Sequence, residues 1–454
     1  MLEGAVDYAK YYQEINRFPA LSIRGRVKQV VGLVMQVSGI RPSVGEVCLV
    51  EVSENKEPLL AEVVGFREEG ALLMPLGDLR GVGPGCRVKA TGHPFYVKVG
   101  PWILGKVIDG LGNLIGDTSF TKKVEKEEKR EETQGLLVDN LPPNPLERKP
   151  IERVMVTGVR AIDTLLTCGQ GQRIGIFSGS GVGKSTLMGM IARYSEADVS
   201  VIALVGERGR EVGDFLSNSL GTEGLKRSVV VVSTSDRPAL ERVKAALVAT
   251  TVAEYFRDRG LKVILMMDSV TRFAMALREI GLAIGEPPAT KGYTPSVFAA
   301  LPRLLERSGT ARRGSITGFY TVLVDGDDFN EPIADAVRGI LDGHIILSRE
   351  LAAQNHFPAI DILGSISRLM PYLIDENHKE KAARIRDLLA AYKEAEDLIN
   401  IGAYVKGSNP RVDMAIAYRD KLNAFLRQDM SDSVSWRQSM EALEQLFSSA
   451  GPEA

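Results

Sequence analysis

The 454-residue chain has little that could staple or anchor it. Its three cysteines, Cys48, Cys86 and Cys168, include no CxxC pair, and an odd number cannot pair completely within one chain. That excludes a disulfide scaffold and a cysteine zinc site, and fits cytosolic thiols. No uncharged apolar run reaches the roughly 18 residues that a membrane span needs. The opening residues, MLEGAVDYAKYYQEINRFPA, lack the apolar core of a secretory signal, so a cytoplasmic protein is expected. Charge of one sign is also lacking. Against 58 acidic residues stand 56 basic ones, a net charge of −2. No global basic excess would draw the chain to nucleic acid or anionic lipid. What remains is ordinary globular composition, 44% hydrophobic and 25% charged. The length leaves room for two or three domains at roughly 100–200 residues each.

The texture changes along the chain. Residues 3–18 place Tyr8, Tyr11, Tyr12, Ile15 and Phe18 near helical spacing, which predicts a short helix, either packed or docking a partner. From Ile23 to Gly92, short apolar stretches (Val27–Val37, Glu46–Val52, Leu60–Phe66, Ala71–Pro75) alternate with Gly and Pro, the pattern of a small β-barrel or sandwich. Lys122–Glu132 is a dense, sign-balanced charge cluster and reads as a solvated excursion. Pro142, Pro143, Pro145 and Pro150 then mark an extended linker. From Val154 to Ser367, buried-strand runs alternate with helical patterns. The strand candidates are Arg173–Ser178, Val199–Gly206, Ser228–Thr234, Lys262–Asp268, Ser315–Val324 and His344–Leu347, with a helix expected over Pro238–Arg257. This alternation implies a mainly parallel sheet covered on both faces. Beyond Met370 the chain reads as helical, most clearly over His378–Asn400 and Asp432–Ser448.

Residues 173–186, RIGIFSGSGVGKST, run from a β-rich stretch through a glycine-rich turn into a helical segment, LMGMIARY. That is the setting of a phosphate loop, in which backbone N–H groups converge on phosphate oxygens at a helix N-terminus. Mg-ATP binding and hydrolysis are therefore expected. Lys184 would neutralise the β- and γ-phosphates and Ser185 would ligate Mg2+. Ser178 stands where the strict pattern has glycine. Asp268 ends the apolar run KVILMMD, as an acid holding the magnesium through water should. In VIALVGERGREVGD, either Glu207 or Glu211 could position the attacking water; spacing does not separate them. Arg208, Arg272, Arg312, Arg338, Arg349 and Arg368 are all candidates to stabilise transition-state charge, and composition does not choose among them.

Taken together, SGSGVGKS, VGERGREVGDF, MMDSVTRFAMALREIGLAIGEPPATKGYTPSVF, GSITGFYTVLVDGDD, ILDGHIILSRELAAQNHFPAIDILGSISRLM and YVKGSNP resemble the type III secretion ATPases, in particular the flagellar protein-export branch. That family in turn resembles the catalytic subunit of rotary ATP synthases. The resemblance covers essentially the whole chain. It implies an α/β fold: a RecA-like P-loop ATPase core with a parallel sheet, preceded by a small N-terminal β-barrel and followed by a C-terminal helical domain. The corresponding bounds are 1–93, 94–368 and 369–454. The phosphate loop falls on Ser178, Gly179, Ser180, Gly181, Val182, Gly183, Lys184, Ser185 and Thr186, and a small non-glycine residue at the first position is common in this branch.

By the same resemblance the catalytic glutamate is Glu207, followed by Arg208, and the magnesium-associated acid is Asp268. The arginine finger offered to a neighbouring subunit is Arg368, and the adenine-stacking aromatics are Phe357 and Tyr404. A finger acting in trans implies a homohexameric ring. Glu207 argues against the non-catalytic rotary subunit, which has lost that glutamate. Other partners implied are a stator-type regulator at the N-terminus, a coiled-coil stalk in the pore, export chaperone–substrate complexes and the membrane export gate, with no nucleic acid. The place implied is the cytoplasmic face of the inner membrane. Service in an injectisome and the catalytic subunit of a rotary ATPase are the alternatives. Gly92 to Ser178 leaves no room for the long insertion of a V-type catalytic subunit.

Overall fold

The computed structural model describes residues 23–52, 57–68, 70–115, 132–324 and 331–448. The helix expected over 3–18, and the charge cluster apart from Glu132, lie outside the described residues. The chain forms two compact units, one running to Phe95 together with Ala283–Gly285, the other comprising the rest.

In the first unit, β1 (Gly25–Val31), β2 (Val34–Ser38), β3 (Glu46–Glu51), β4 (Leu59–Arg67), β5 (Gly70–Pro75) and β6 (Arg87–Pro94) close into a barrel in the order β1-β2-β5-β4-β3-β6. Val27, Met35, Val37, Cys48, Val50, Ala61, Val63, Leu73 and Val88 fill its interior. The stretch Val27–Val37 is two strands rather than one, because the chain reverses at Gly32 with a φ of 57°. Closure leaves no open edge on this small sheet.

In the second unit, β7 (Tyr96–Val99) pairs with β9 (Gln134–Leu137), with β8 (Val107–Asp109) between them in sequence. The main sheet adds β10 (Arg173–Ser178), β11 (Val199–Val205), β12 (Ser228–Ser233), β13 (Lys262–Asp268), β14 (Gly309–Thr310), β15 (Ser315–Leu323), β16 (Gly343–Leu347) and β17 (Ile360–Ser367). Its order is β17-β16-β10-β15-β13-β11-β12-β8, parallel except where β14 and β17 pair antiparallel. The strand expectations hold to within about one residue at each end. Their runs, such as VSVIALV and SVVVVS, are buried at every position, as strands covered on both faces must be. The edge strand β17 was not singled out from sequence. Asp361 and Gly364 interrupt its apolar pattern, and only alternate positions are buried.

The helices used below are α1 (Arg160–Leu165), α2 (Lys184–Tyr194), α3 (Gly209–Asp214), α4 (Ala239–Asp258), α5 (Val270–Ile284), α6 (Pro295–Leu305), α7 (Pro332–Ile340), α8 (Arg349–Ala353), α9 (Glu376–Asn400), α10 (Pro410–Leu426) and α11 (Trp436–Ser448). One core runs from the sheet (Ile174, Ile202, Ile264) through α2 (Leu187, Ile191) into the C-terminal helices (Ile385, Leu388, Leu422, Phe425, Leu443). The helices after Met370 therefore bury their apolar faces in the same unit as the sheet. No helix among the described residues is long and apolar enough to cross a membrane.

Candidate active site

The strand order gathers the chemistry-bearing residues. β10, β11 and β13 run parallel, so the chain leaves all three at one rim of the sheet, where α/β folds place their ligand crevices. The glycine-rich loop follows β10. Gly183 takes a φ of 88°, a left-handed turn that a side chain would oppose, and α2 starts at Lys184. The loop, Glu207, Arg208, Glu211 and Arg272 line a cavity of about 660 Å3, within the size range of nucleotide and cofactor pockets.

Lys184 is the centre of the cluster. Its Nζ donates to Asp268 Oδ1 at 2.5 Å and stands 3.9 Å from Glu207 Oε1. In sheet order β15 separates β10 from β13, and it bridges the gap: Thr321 Oγ1 also donates to Asp268 Oδ1, at 2.7 Å. Asp268 is thus held by two donors and only 4% exposed. Glu207 is 7% exposed and its Oε1 has no hydrogen-bond partner among the described residues; Ser178 Oγ and Arg272 Nε are likewise buried and unsatisfied. Buried polar atoms without partners on the wall of a cavity are what a polar ligand and its waters would satisfy. Burial, with the negative charge of Asp268, pushes the Glu207 carboxyl up to about 7; Lys184 opposes the rise.

The hydroxyl of Ser185, which lines the cavity, and the carboxylates of Asp268 and Glu207 are hard oxygen donors. They suit a small divalent cation that keeps most of its water, so the residues present fit Mg2+. Among the described residues no group of three or more His, Cys, Asp or Glu forms a protein-only metal cage.

The structure brings Lys184, Glu207, Asp268 and the 178–186 loop together, with Arg208 exposed on the rim beside Glu211. Phe357, 40% exposed, presents its ring edge about 3.5 Å from where a Cβ on Gly183 would stand. Arg368 is elsewhere. It is exposed, donates its backbone N–H to Asp342 O (3.0 Å), and lines a separate cavity with Lys379 and Arg386.

Tyr404 requires a correction. It lies between α9 and α10, where its hydroxyl reaches Asn409 O and Asp413 Oδ1, both at 3.0 Å, and it does not line the loop cavity. Tyr404 precedes α10, whereas Gln428, just past its other end, bonds Phe357. Those 17 residues of helix span roughly 25 Å, too far for both rings to hold one base.

One contact escaped sequence reading. The guanidinium of Arg349, at the start of α8, lies over Gly179, where a Cβ would come within 2.5 Å of its Nε and Nη2. Nothing local in the sequence ties position 349 to position 179.

The nucleotide-binding domain of the ATP synthase alpha/beta family matches residues 158–367, its beta-barrel domain residues 27–92, and the T3SS EscN ATPase C-terminal domain residues 374–445. The flagellum-specific ATP synthase of Bacillus subtilis (strain 168) is 55% identical, over 93% of this chain and 94% of that protein. The assembled ATPase EscN of the enteropathogenic E. coli type III secretion system superposes with a TM-score of 0.86 at 46% identity. It covers 93% of this chain and 99% of its own. EscN in complex with its central stalk EscO superposes with a TM-score of 0.84 at 45% identity, with the same coverage.

Proposed function

We infer the function from one premise: the chain belongs to the ATP synthase alpha/beta family, in the branch of the flagellum-specific and type III secretion ATPases. It hydrolyses ATP to energise protein export through a type III secretion apparatus, in flagellar service. The observation that carries this reading is the Lys184–Asp268–Glu207 cluster at the rim of the parallel sheet.

In the proposed cycle, the N–H groups of the 178–186 loop and Lys184 hold the phosphates, and Phe357 stacks on the adenine. Mg2+, held by Ser185 and, through water, by Asp268, would neutralise phosphate charge. Glu207 orients a water on the γ-phosphorus and accepts its proton. The new P–O bond forms as the bond to the β–γ bridging oxygen breaks, leaving ADP and phosphate. Exposed Arg368, outside its own loop cavity, is offered to the site of a second copy. One chain holding both Glu207 and Arg368 is sufficient for a homohexameric ring of like sites. A stalk in the ring pore, a stator at the N-terminus, export chaperones with their cargo, and the membrane gate complete the assembly on the cytoplasmic side of the inner membrane. The functional segments are 1–93, 94–368 and 369–454.

The test is specific activity against protein concentration, with mass measured in parallel. Activity rising steeply as hexamers appear supports the ring. Activity that is flat, or that needs a second homologous subunit, favours a rotary-type catalytic subunit instead. Arg368→Ala should lose about a thousandfold or more in kcat, the worth of an arginine finger. Mixing it with Glu207→Gln should restore part of the rate, because a Glu207-intact site can then receive Arg368 from its neighbour. No restoration would remove the trans role.

The Glu207 carboxyl adds a pH signature. With its pKa raised to about 7, it is protonated below that pH and cannot accept a proton from water. The value of kcat/KM, which reports the free enzyme, should therefore rise with pH through about 7. A kcat/KM flat between pH 6 and 8 would contradict the assignment of Glu207 as base.

A further inference from the structure

The side chain of Gln428 joins segments drawn from opposite ends of the second unit. Its Oε1 accepts the Arg160 backbone N–H (2.8 Å), and its Nε2 donates to Gly158 O (2.9 Å) and Asp432 O (3.0 Å). Its own backbone N–H donates to Phe357 O at 3.0 Å. Gln428 is 5% exposed, so these bonds form out of water, where an unmade partner is costly. Both donors and the acceptor of the amide are in use.

The groups it binds are themselves fixed. The Gly158 N–H donates to buried Asp163 Oδ2 (3.1 Å), and Tyr194 packs so tightly on Gly158 that a Cβ there would stand 2.5 Å from its own. Tyr194 is the last residue of α2, the helix that opens at Lys184. Its hydroxyl and Arg193 Nη2 both donate to Met430 O, at 3.2 and 2.6 Å. Segment 428–432 is thereby tied to the C-terminal end of the phosphate-loop helix and, through Gln428, to the carbonyl of the residue whose ring lies against Gly183.

We propose that Gln428 is a positioning residue for nucleotide binding: it sets where Phe357 stands relative to the phosphate loop, and so fixes the base end of the site without touching the phosphate end. The proposal rests on the reading of Phe357 as the adenine wall. It differs from that reading in assigning the placement of the wall to a side chain that never meets the nucleotide. The base end then depends on the turn that follows α10, whereas the phosphate end depends on the sheet.

Gln428→Met tests it. The substitution keeps length and volume but leaves the Arg160 N–H and Gly158 O buried without partners. The expected result is a KM for ATP raised roughly tenfold, in line with the cost of unmade buried bonds, with kcat within about twofold. Inhibition by inorganic tripolyphosphate, which has phosphates and no base, should be unchanged. Gln428→Glu keeps the acceptor but sets a carboxylate oxygen against the carbonyls of Gly158 and Asp432, and should raise the KM for ATP at least as far. An unchanged KM for ATP overturns the proposal, and so does a parallel loss of tripolyphosphate inhibition, which would mean that the loop itself is disturbed. Thermal melting checks the fold of each variant. If Gln428→Met does not fold, Tyr194→Phe, which removes one tether to Met430, should raise the KM for ATP in the same base-selective way. An unchanged KM there overturns the proposal equally. Failure of the wild type to hydrolyse ATP would sink the functional reading instead, so the two failures are distinct.

Discussion

Glu207→Gln should lower kcat by about a hundred- to ten-thousandfold, the usual worth of a positioned general base, while Mg-ATP binds as tightly as before or more tightly. The two halves of this expectation have separate causes. Glutamine keeps the volume and can still hydrogen-bond a water, but it cannot take the proton, so the loss falls on the chemical step. Affinity is retained because Glu207 carries an Oε1 that no described donor satisfies, 3.9 Å from Lys184 and beside the charge of Asp268. Removing that charge relieves repulsion toward the γ-phosphate and leaves Lys184 bonded to Asp268. Steady-state hydrolysis and equilibrium binding of ATP, measured on the same preparation, check it. If Glu207→Gln keeps more than about a tenth of the wild-type kcat, the base is elsewhere, and Glu211 becomes the residue to test.

Arg307→Met should cost about 3–5 kcal/mol of stability, read from denaturant unfolding of the folded chain. Arg307 is 1% exposed, just past α6. It donates from Nε and Nη2 to the two carboxylate oxygens of Glu254 on α4, at 2.9 and 2.7 Å. It also donates to Val138 O at 2.8 Å and Thr251 Oγ1 at 2.9 Å. A bidentate pair this deep was expensive to desolvate, so its net worth when intact is small. Breaking it by removing one partner is another matter, because Glu254 then stays buried as an uncompensated charge. The double variant Arg307→Met with Glu254→Met should recover most of the loss, since it buries two apolar chains in place of two ions. A single variant within 1 kcal/mol of wild type would show that Glu254 finds another partner or takes up a proton at little cost.

Local pattern carried a great deal of this protein. A glycine-rich turn between a β-rich run and a helical run is contiguous, and phosphate binding demands just that order, so the 178–186 loop was legible as a candidate phosphate loop, with α2 starting at Lys184 as the pattern requires. The strands of the main sheet were legible because burial on both faces leaves unbroken apolar runs, as in KVILMMD and SVVVVS. Where an acid and a glycine break the run, the signal fails. Strand β17 carries Asp361 and Gly364 among its apolar residues and is absent from the strand candidates read from sequence. Spacing could not separate Glu207 from Glu211. The fold does separate them: Glu207 is buried beside Lys184, whereas Glu211 stands exposed one helical turn on, paired with Arg208.

The sequence by itself determined the chemistry on offer: a phosphate loop, an acid ending a buried strand, a glutamate just past another, and arginines to spare. Each of these is written in a few adjacent residues, where steric and hydrogen-bonding rules act locally. Only the tertiary structure decided which of them meet. Lys184 reaches Asp268 because β15 inserts between their strands and Thr321 closes the gap. Arg349 covers Gly179 because β16 delivers α8 to the same rim of the sheet. Tyr404 is removed from the site, and Gln428 brought to it, by the length of α10. Strand order and helix length act between residues far apart in the chain, and no short stretch of sequence records the distance that results.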